Sequence, residues 1–325
     1  MVEGQNVMNK AGPSSCALGP SSCALGPNAI ATLDAQHLCE THESFSSATI
    51  YFPKESEKSQ LLPSIVLVGG WGCGERAMAA WAPFFASHGI VAMTIGTPAP
   101  WKDTPEARCQ ALLDASQALQ SEHTRSDSPL HQRLDLNARA VMGYSLGGGG
   151  AQLAALKDPT LKCSVAICPH DGREYGTQFP PELSASVPIL FVCSERDKEA
   201  DPQKQAWAQY KKTSAPKLIF EVSGGDHFSA NGPAGGTNSE FEQGSEPCVL
   251  CNCLLAMFCG IAPCPFGTYN GPTGFAKKEA PRGAIGGVVL AWLQLFLLDD
   301  ESARSRLAAR PDIASSFESQ KMVRN

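Results

Sequence analysis

The fold of this chain is constrained most by a serine that lies between two glycines, where an apolar run meets a segment of helical character. Residues 140–142 are apolar, as expected for a buried strand, and residues 151–156 have the composition of a helix. A Gly-x-Ser-x-Gly motif in this context predicts a nucleophile elbow, which lifts the serine hydroxyl above the end of a sheet. The turn leaves no room for side chains beside Ser145, which explains Gly143 and Gly147. The alternative interpretation is a Gly-rich structural turn.

The composition excludes several classes of protein. The 325 residues are 43% hydrophobic, which is ample for a large α/β core, and 18% charged. A net charge of −6 argues against nucleic acid as a partner. Residues 284–298 form the longest apolar stretch, but it includes Gln294 and falls short of the roughly 18 residues of a membrane span. We therefore expect no nucleic-acid partner and no membrane span. A monomer is a separate expectation.

Strands and helices alternate after a low-complexity start. The heptapeptide Gly-Pro-Ser-Ser-Cys-Ala-Leu occurs at residues 12–18 and again at 19–25, and we interpret residues 1–45 as a flexible segment. Strands are predicted at 48–52, 63–68, 90–95, 138–142, 164–167, 188–192 and 217–222, and helices at 78–88, 105–120, 202–211 and 287–298. This alternation predicts an α/β fold with a mostly parallel central sheet and helices on both faces.

The predicted domain covers residues 46–305, with a Cys-rich insertion at 232–282 and a polar tail at 306–325. Parallel sheets bind ligands at the carboxyl ends of their strands, where Ser145 is expected to lie. The N-terminus lacks a basic region followed by an apolar segment, so no signal peptide is visible and a cytoplasmic location is the default.

A serine nucleophile needs a base to remove its proton and an acid to orient that base. In elbow enzymes of this type the chain order is serine, acid, histidine. His170 and His227 are the two histidines that follow Ser145, and His170 precedes every candidate acid. We therefore predict that His227, in the loop after a buried strand, is the base.

The acid is predicted to be Asp197, at the exit of the strand at 188–192. Glu195 and Asp201 are alternatives, although Asp201 precedes a proline and is better explained as a helix N-cap. Asp226 is too close to His227 in the sequence to reach its Nδ1 comfortably. For the oxyanion, two backbone N–H groups are needed, and we expect them from Leu146 and from Trp71, in the loop after the strand at 63–68.

Several separate blocks of the sequence resemble bacterial cutinases and PET-type polyester hydrolases, members of the dienelactone-hydrolase-like group with an α/β-hydrolase fold. These blocks are residues 86–91, 133–150, 187–190, 224–231, 291–293 and 299–300, and the likeness covers roughly 46–231 and 283–300. The resemblance implies a shallow cleft for bulky esters, no cofactor, and secretion rather than a cytoplasmic location. The residues that it implies for the site are the triad Ser145, Asp197 and His227 and the oxyanion donors Trp71 and Leu146.

Three positions depart from the family pattern. Trp71 stands where the family usually has Tyr or Phe, and Tyr144 where it usually has His. His170 replaces the usual Trp, so an aryl-ester clamp loses its larger face and activity on aromatic polyesters is in doubt. We expect Trp71, His170 and Phe228 to line the substrate pocket.

The Cys-rich insertion has spacings that a zinc site could use. Its apolar spacers and its lack of histidine favour disulfides or buried thiols instead, and its five cysteines are Cys248, Cys251, Cys253, Cys259 and Cys264. The sequence as a whole predicts a serine carboxylic-ester hydrolase that acts on apolar or polymeric esters through an acyl-enzyme, without cofactor or metal. The alternatives are a chlorophyllase-like or small-ester esterase and a non-catalytic binding protein with the same fold.

Overall fold

The computed structural model describes residues 25–55, 61–177, 179–184, 186–230, 232–233 and 279–322. In these ranges a nine-stranded sheet has the order β1-β2-β4-β3-β5-β6-β7-β8-β9. Its strands are β1 (Ile30–Asp34), β2 (Ser47–Pro53), β3 (Leu62–Val68), β4 (Val91–Gly96), β5 (Leu134–Tyr144), β6 (Cys163–Ile167), β7 (Ile189–Ser194), β8 (Lys217–Val222) and β9 (Ala314–Gln320). In the order of the sheet, the strands from β4 to β8 are parallel to one another. Strand β2 pairs antiparallel with both β4 and β1, and β9 pairs antiparallel with β8.

Helices cover both faces of the sheet. They are α1 (Gln36–Cys39), α2 (Trp81–Ser87), α3 (Pro105–Ser121), α4 (Leu146–Lys157), α5 (Ala206–Lys212), α6 (Glu279–Phe296) and α7 (Ala303–Ala308), with 3₁₀ turns at Glu75–Met78 and Arg173–Tyr175. No helix in the described ranges is long and apolar enough to cross a membrane.

The alternation of side chains along the central strands produces two apolar layers. In β3, Ile65 and Leu67 face the layer that holds α2, α6 and α7, whereas Val66 and Val68 face the layer that holds α1, α3, α4 and α5. Because both faces are covered, the central strands are continuous apolar runs rather than alternating ones. The architecture is the predicted α/β-hydrolase fold. It places the carboxyl ends of the parallel strands β3, β5, β7 and β8 along the same side of the sheet.

At each edge of the sheet, one strand lies outside the domain of residues 46–305 that the sequence predicts. Ile30–Asp34 lies in the segment interpreted as flexible, yet it pairs with β2 along its length. Ala314–Gln320 lies in the expected polar tail, yet it pairs with β8, and Phe317 packs edge-on against Phe220 with ring centroids 5.7 Å apart. Edge strands are short and half exposed, so their sequences lack the apolar runs that reveal central strands.

Helix α6 begins at Glu279, before the start at residue 287 that the apolar pattern predicts. The repeat at residues 12–25 lies outside the described residues except for Leu25, as do residues 234–278 of the insertion with their five cysteines.

The buried carboxylate of Glu122 connects the end of α3, the loop that follows it and helix α1. Glu122, just after α3, accepts hydrogen bonds from Arg125 and from Ser128, and its Oε1 lies 2.8 Å from Nε2 of His37 in α1. Its side chain is fully buried. Burial alone would raise the pKa of Glu122, but the hydrogen bonds from these partners outweigh it and lower the pKa to about 2.

We expect Glu122→Gln to lower the free energy of unfolding at pH 7 by roughly 3 kcal/mol, the equivalent of the pKa shift. A carboxyl with a lowered folded-state pKa stabilises the fold above its unfolded pKa, and that stability is lost as the pH falls from about 4.5 towards 2. The wild-type protein should therefore lose more stability than the variant over this range. Urea unfolding at several pH values measures both effects.

The matched control is Glu301→Gln, because Glu301 pairs with Arg304 on the surface with 65% of its side chain exposed. Its expected cost is below about 0.5 kcal/mol. Equal costs for the two variants would contradict the role of Glu122.

Candidate active site

The turn between β5 and α4 holds Ser145 in a backbone conformation that few residues adopt. Its φ is 55° and its ψ is −118°, outside the regions favoured by residues with a side chain. The Ser145 N–H donates to the carbonyl oxygen of Ile167 at 2.8 Å, and its carbonyl oxygen accepts from the N–H of His170 at 2.9 Å. The backbone of the serine is therefore fixed on both sides by the segment that follows β6.

The glycines of the motif are required by close contacts. A Cβ on Gly143 would overlap the carbonyl oxygen of Gly147, and a Cβ on Gly147 would overlap that of Gly69. The turn can therefore close only with glycine at both positions, as the sequence predicts.

The three residues predicted from the motif order lie together at the carboxyl edge of the sheet. Nε2 of His227 is 3.0 Å from Oγ of Ser145, and its Nδ1 is 2.6 Å from Oδ2 of Asp197. Asp197 lies in the loop after β7 and His227 in the loop after the neighbouring strand β8. The second carboxylate oxygen, Oδ1, accepts from the N–H groups of Glu199 at 3.0 Å and Ala200 at 2.8 Å, which fixes its orientation.

The environment of His227 favours its protonated form. Burial lowers the pKa of this imidazole, but the charge and hydrogen bond of Asp197 raise it by more, with help from Glu199 and Asp226. The net pKa is above the usual 6.5. A base with a raised pKa holds a proton more strongly once it has taken one from a hydroxyl.

The alternative acids have other partners. Oε2 of Glu195 accepts from the N–H of Gly224 at 2.6 Å. Asp201 caps the turn before α5, where its Oδ1 accepts from the N–H of Gln203 at 3.0 Å. Asp226 accepts from the Ser229 N–H at 2.9 Å and from the Ser229 hydroxyl. Within the described residues, Asp197 is the carboxylate bonded to His227.

The loop after β3 passes close to the serine. A Cβ on Gly70 would lie 2.8 Å from Cβ of Ser145 and 3.3 Å from its Oγ. The next residue is Trp71, whose indole Nε1 donates to the carbonyl oxygen of Trp101 at 2.9 Å. On the other side of the serine, Leu146 begins α4, and the first N–H groups of a helix have no partner within it. Of the two predicted donor residues, Leu146 directly follows Ser145 in the chain, and Trp71 directly follows the glycine that approaches the serine.

Two of the predicted pocket residues, His170 and Phe228, contact the residues of this central group. His170 is 6% exposed, follows β6 and accepts the Gly172 N–H on Nδ1 at 3.0 Å, so its neutral ring carries hydrogen on Nε2. Burial lowers the pKa of His170, against the opposing charges of Asp171 and Glu174, which favours the neutral ring at pH 7. The ring of Phe228 lies edge-on to His227 with centroids 5.7 Å apart.

Two buried residues beneath His227 were not predicted as part of the site. The hydroxyl of Tyr144 donates to the carbonyl oxygen of His227 at 3.0 Å, and the thiol of Cys168 lies 3.6 Å from the same oxygen. Burial and the neighbouring charge of Asp197 raise the pKa of the Cys168 thiol well above its usual value. The sequence signal was the position of Tyr144, directly before the serine.

Cys168, Asp197 and His227 form the one group in the described ranges with the spacing of a metal site, since their ligand atoms lie within 4.8 Å of one another. The short Asp197–His227 hydrogen bond engages two of those atoms. A hydroxyl, an imidazole and a carboxylate in this order can carry out acyl transfer through a covalent intermediate.

Comparison with known proteins agrees with this chemistry. The family model described as PETase, PET hydrolase-like, matches residues 9–241. Lipase 1 of Moraxella sp. (strain TA144) is 29% identical over 189 residues, which are 58% of this chain and 55% of the lipase. Cutinase 2 of Thermobifida cellulosilytica is 31% identical over 195 residues, 59% of this chain and 69% of the cutinase. The chain thus spans just over half the length of the lipase that it matches.

Proposed function

The chain belongs to the PET hydrolase-like family, and from this premise we propose that it is a serine carboxylic-ester hydrolase that acts on apolar or polymeric esters. The observation that supports the proposal most is the continuous hydrogen-bonded path from Ser145 through His227 to Asp197, with distances of 3.0 and 2.6 Å. Relatives named as cutinases and a lipase support the same class of reaction.

In the acylation step, Oγ of Ser145 attacks the ester carbonyl carbon while Nε2 of His227 takes the hydroxyl proton. The carbonyl π electrons move onto the carbonyl oxygen, which accepts hydrogen bonds from the N–H groups of Trp71 and Leu146. When the tetrahedral intermediate collapses, the bond to the alcohol oxygen breaks and His227 returns the proton to it. Alcohol leaves, and the acyl group stays on Ser145.

In the deacylation step, water replaces the alcohol. His227 takes a proton from water, and the resulting hydroxide attacks the acyl carbon. The bond between that carbon and Oγ of Ser145 then breaks, His227 returns its proton to Oγ, and the carboxylic acid leaves. Asp197 keeps the Nδ1 hydrogen directed towards itself, so Nε2 is free to accept a proton in both steps.

The proposed substrate class is supported by the residues that are predicted to line the site. Trp71 and Phe228 offer aromatic surfaces, while His170 offers a neutral imidazole in place of a larger indole. Such a wall stacks less strongly on an aryl group, so we propose a preference for aliphatic over aromatic esters. No observation favours a chlorophyllase-like or small-ester esterase over this function, or a non-catalytic binding protein.

We expect a fluorophosphonate probe to label the folded protein, and we expect hydrolysis of p-nitrophenyl esters and of an aliphatic polyester film. Release of acid from a PET film should be at least about tenfold slower than release from the aliphatic film, because one pocket contact discriminates between substrates by about this factor. The variant His170→Trp should reduce the difference between the rates on the two films. Folded protein that neither reacts with the probe nor cleaves any ester would refute the proposed function.

A further inference from the structure

A buried arginine lies behind the loop that contains Trp71. Arg108 belongs to α3, and its side chain is fully buried. A charged side chain is unfavourable in this position unless its hydrogen-bonding groups are engaged. Arg108 lies on the same helix face as the buried Leu112 and Ala115, where the apolar pattern of α3 would place another apolar residue. Its partners therefore indicate why an arginine is present.

The partners of Arg108 are carbonyl oxygens of the loop after β3. Nη2 donates to the carbonyl oxygen of Gly70 at 2.8 Å, and both terminal nitrogens reach that of Cys73, at 3.3 and 3.4 Å. Nε is 2.8 Å from Oδ2 of Asp103. One guanidinium thus contacts the residues on both sides of Trp71 and Gly72.

The Gly70 carbonyl and the Trp71 N–H belong to the same peptide group. No peptide bond in the described residues is cis, so this C=O and this N–H point in opposite directions. Arg108 occupies the oxygen side of the peptide. The same loop passes close to the serine, because a Cβ placed on Gly70 would lie 2.8 Å from Cβ of Ser145.

We propose that Arg108 is a positioning residue for the oxyanion site, which orients and polarises the Gly70–Trp71 peptide so that the Trp71 N–H is a stronger donor. A charge-assisted hydrogen bond to an amide oxygen draws electrons towards that oxygen and makes the amide N–H more acidic. The benefit grows as negative charge develops on the substrate oxygen, so it acts on the transition state more than on bound ester. This inference rests on the proposed ester hydrolysis.

The surrounding structure keeps the arginine in this place. A Cβ on Gly150 would lie 2.8 Å from Cβ of Arg108, so the glycine lets α3 and α4 approach closely. The loop is also held from the segment after β4, because the Gly72 N–H donates to the Pro100 carbonyl oxygen at 2.8 Å. Asp103, the ion-pair partner of Arg108, belongs to that segment. These contacts tie the loop to α3 and to the segment after β4.

The experiment compares Arg108→Lys and Arg108→Met with the wild type, with kcat expressed per active site titrated by paraoxon. Arg108→Lys keeps the charge beside Asp103 and serves as the variant that retains the fold. We expect kcat to fall about tenfold for Arg108→Lys and about a hundredfold for Arg108→Met, up to the effect of losing one oxyanion donor. KM should stay within about threefold. The inhibition constant of an alkyl trifluoromethyl ketone, whose adduct carries an oxyanion, should rise in parallel with the loss of kcat.

The control is Arg139→Met, which breaks an ion pair to Asp158 at 3.0 Å and a hydrogen bond to Ser116, and so disturbs α3 and α4 away from the loop. It should lower Tm and leave kcat per titrated site unchanged. A decrease of less than fivefold in kcat for Arg108→Lys, or loss of titratable sites at unchanged kcat, would overturn the role of Arg108. If the wild type itself hydrolyses no ester, the proposed function fails instead, and the two failures are distinguished.

Discussion

Ester hydrolysis is expected to fall by roughly 10⁵- to 10⁶-fold when Ser145 is replaced by alanine, because loss of the nucleophile removes the covalent route. His227 and Asp197 remain, but a base without a nucleophile activates water only poorly. The residual rate should reflect the oxyanion site and substrate binding alone. Hydrolysis of p-nitrophenyl butyrate and labelling by a fluorophosphonate probe measure the two consequences.

Ser164→Ala is the matched control. Ser164 is also a fully buried serine at this sheet, in β6, and its hydroxyl donates to the carbonyl oxygen of Ala151 at 3.0 Å. Its loss should cost about 1 kcal/mol of stability and leave kcat and probe labelling intact. If Ser145→Ala keeps more than about a hundredth of the wild-type kcat, another residue is the nucleophile.

The central part of the fold was predictable because its signals are local. A strand buried on both faces is a continuous apolar run, as in Leu62–Val68, and its end is marked by glycine. The elbow is set by contacts between residues four apart, Gly143 and Gly147, so the pentapeptide predicts it together with the strand before it and the helix after it. The order of Ser145, Asp197 and His227 then follows from the order of the parallel strands.

The parts that were missed depend on contacts between distant segments. The edge strand Ala314–Gln320 is polar, and it forms because β8 offers unpaired backbone groups. Arg108 contacts carbonyl oxygens more than thirty residues away. Every residue has a backbone carbonyl oxygen, so the sequence does not indicate which of them accept a hydrogen bond. From the sequence alone, Arg108 is only a charged residue on the apolar face of a helix. Tyr144 similarly bonds a carbonyl oxygen, that of His227.

Replacement of Asp197 by asparagine is expected to lower kcat by about 10⁴-fold while the fold is retained. The reason lies in the contacts of the second carboxylate oxygen, which accepts from the N–H groups of Glu199 and Ala200. Those two donors should hold the amide oxygen of Asn in the same place and direct its NH₂ group at Nδ1 of His227. Nδ1 must then accept, so the hydrogen of the neutral ring moves to Nε2, which can no longer take the proton of Ser145.

The same variant tests the electrostatic role of Asp197. Activity requires neutral His227, and the pKa of this imidazole is raised above 6.5, so the acid limb of the wild-type kcat/KM profile should lie above pH 6.5. In Asp197→Asn the carboxylate charge that raises the pKa of His227 most is gone while burial still lowers that pKa, so the acid limb should move to lower pH. Glu195→Gln is the control, because Glu195 is an exposed carboxylate two residues away that bonds Gly224 instead of His227. It should change neither kcat nor the acid limb. An Asp197→Asn variant with kcat within tenfold of the wild type, or with its acid limb unmoved, would show that this carboxylate does not set the tautomer and charge of His227.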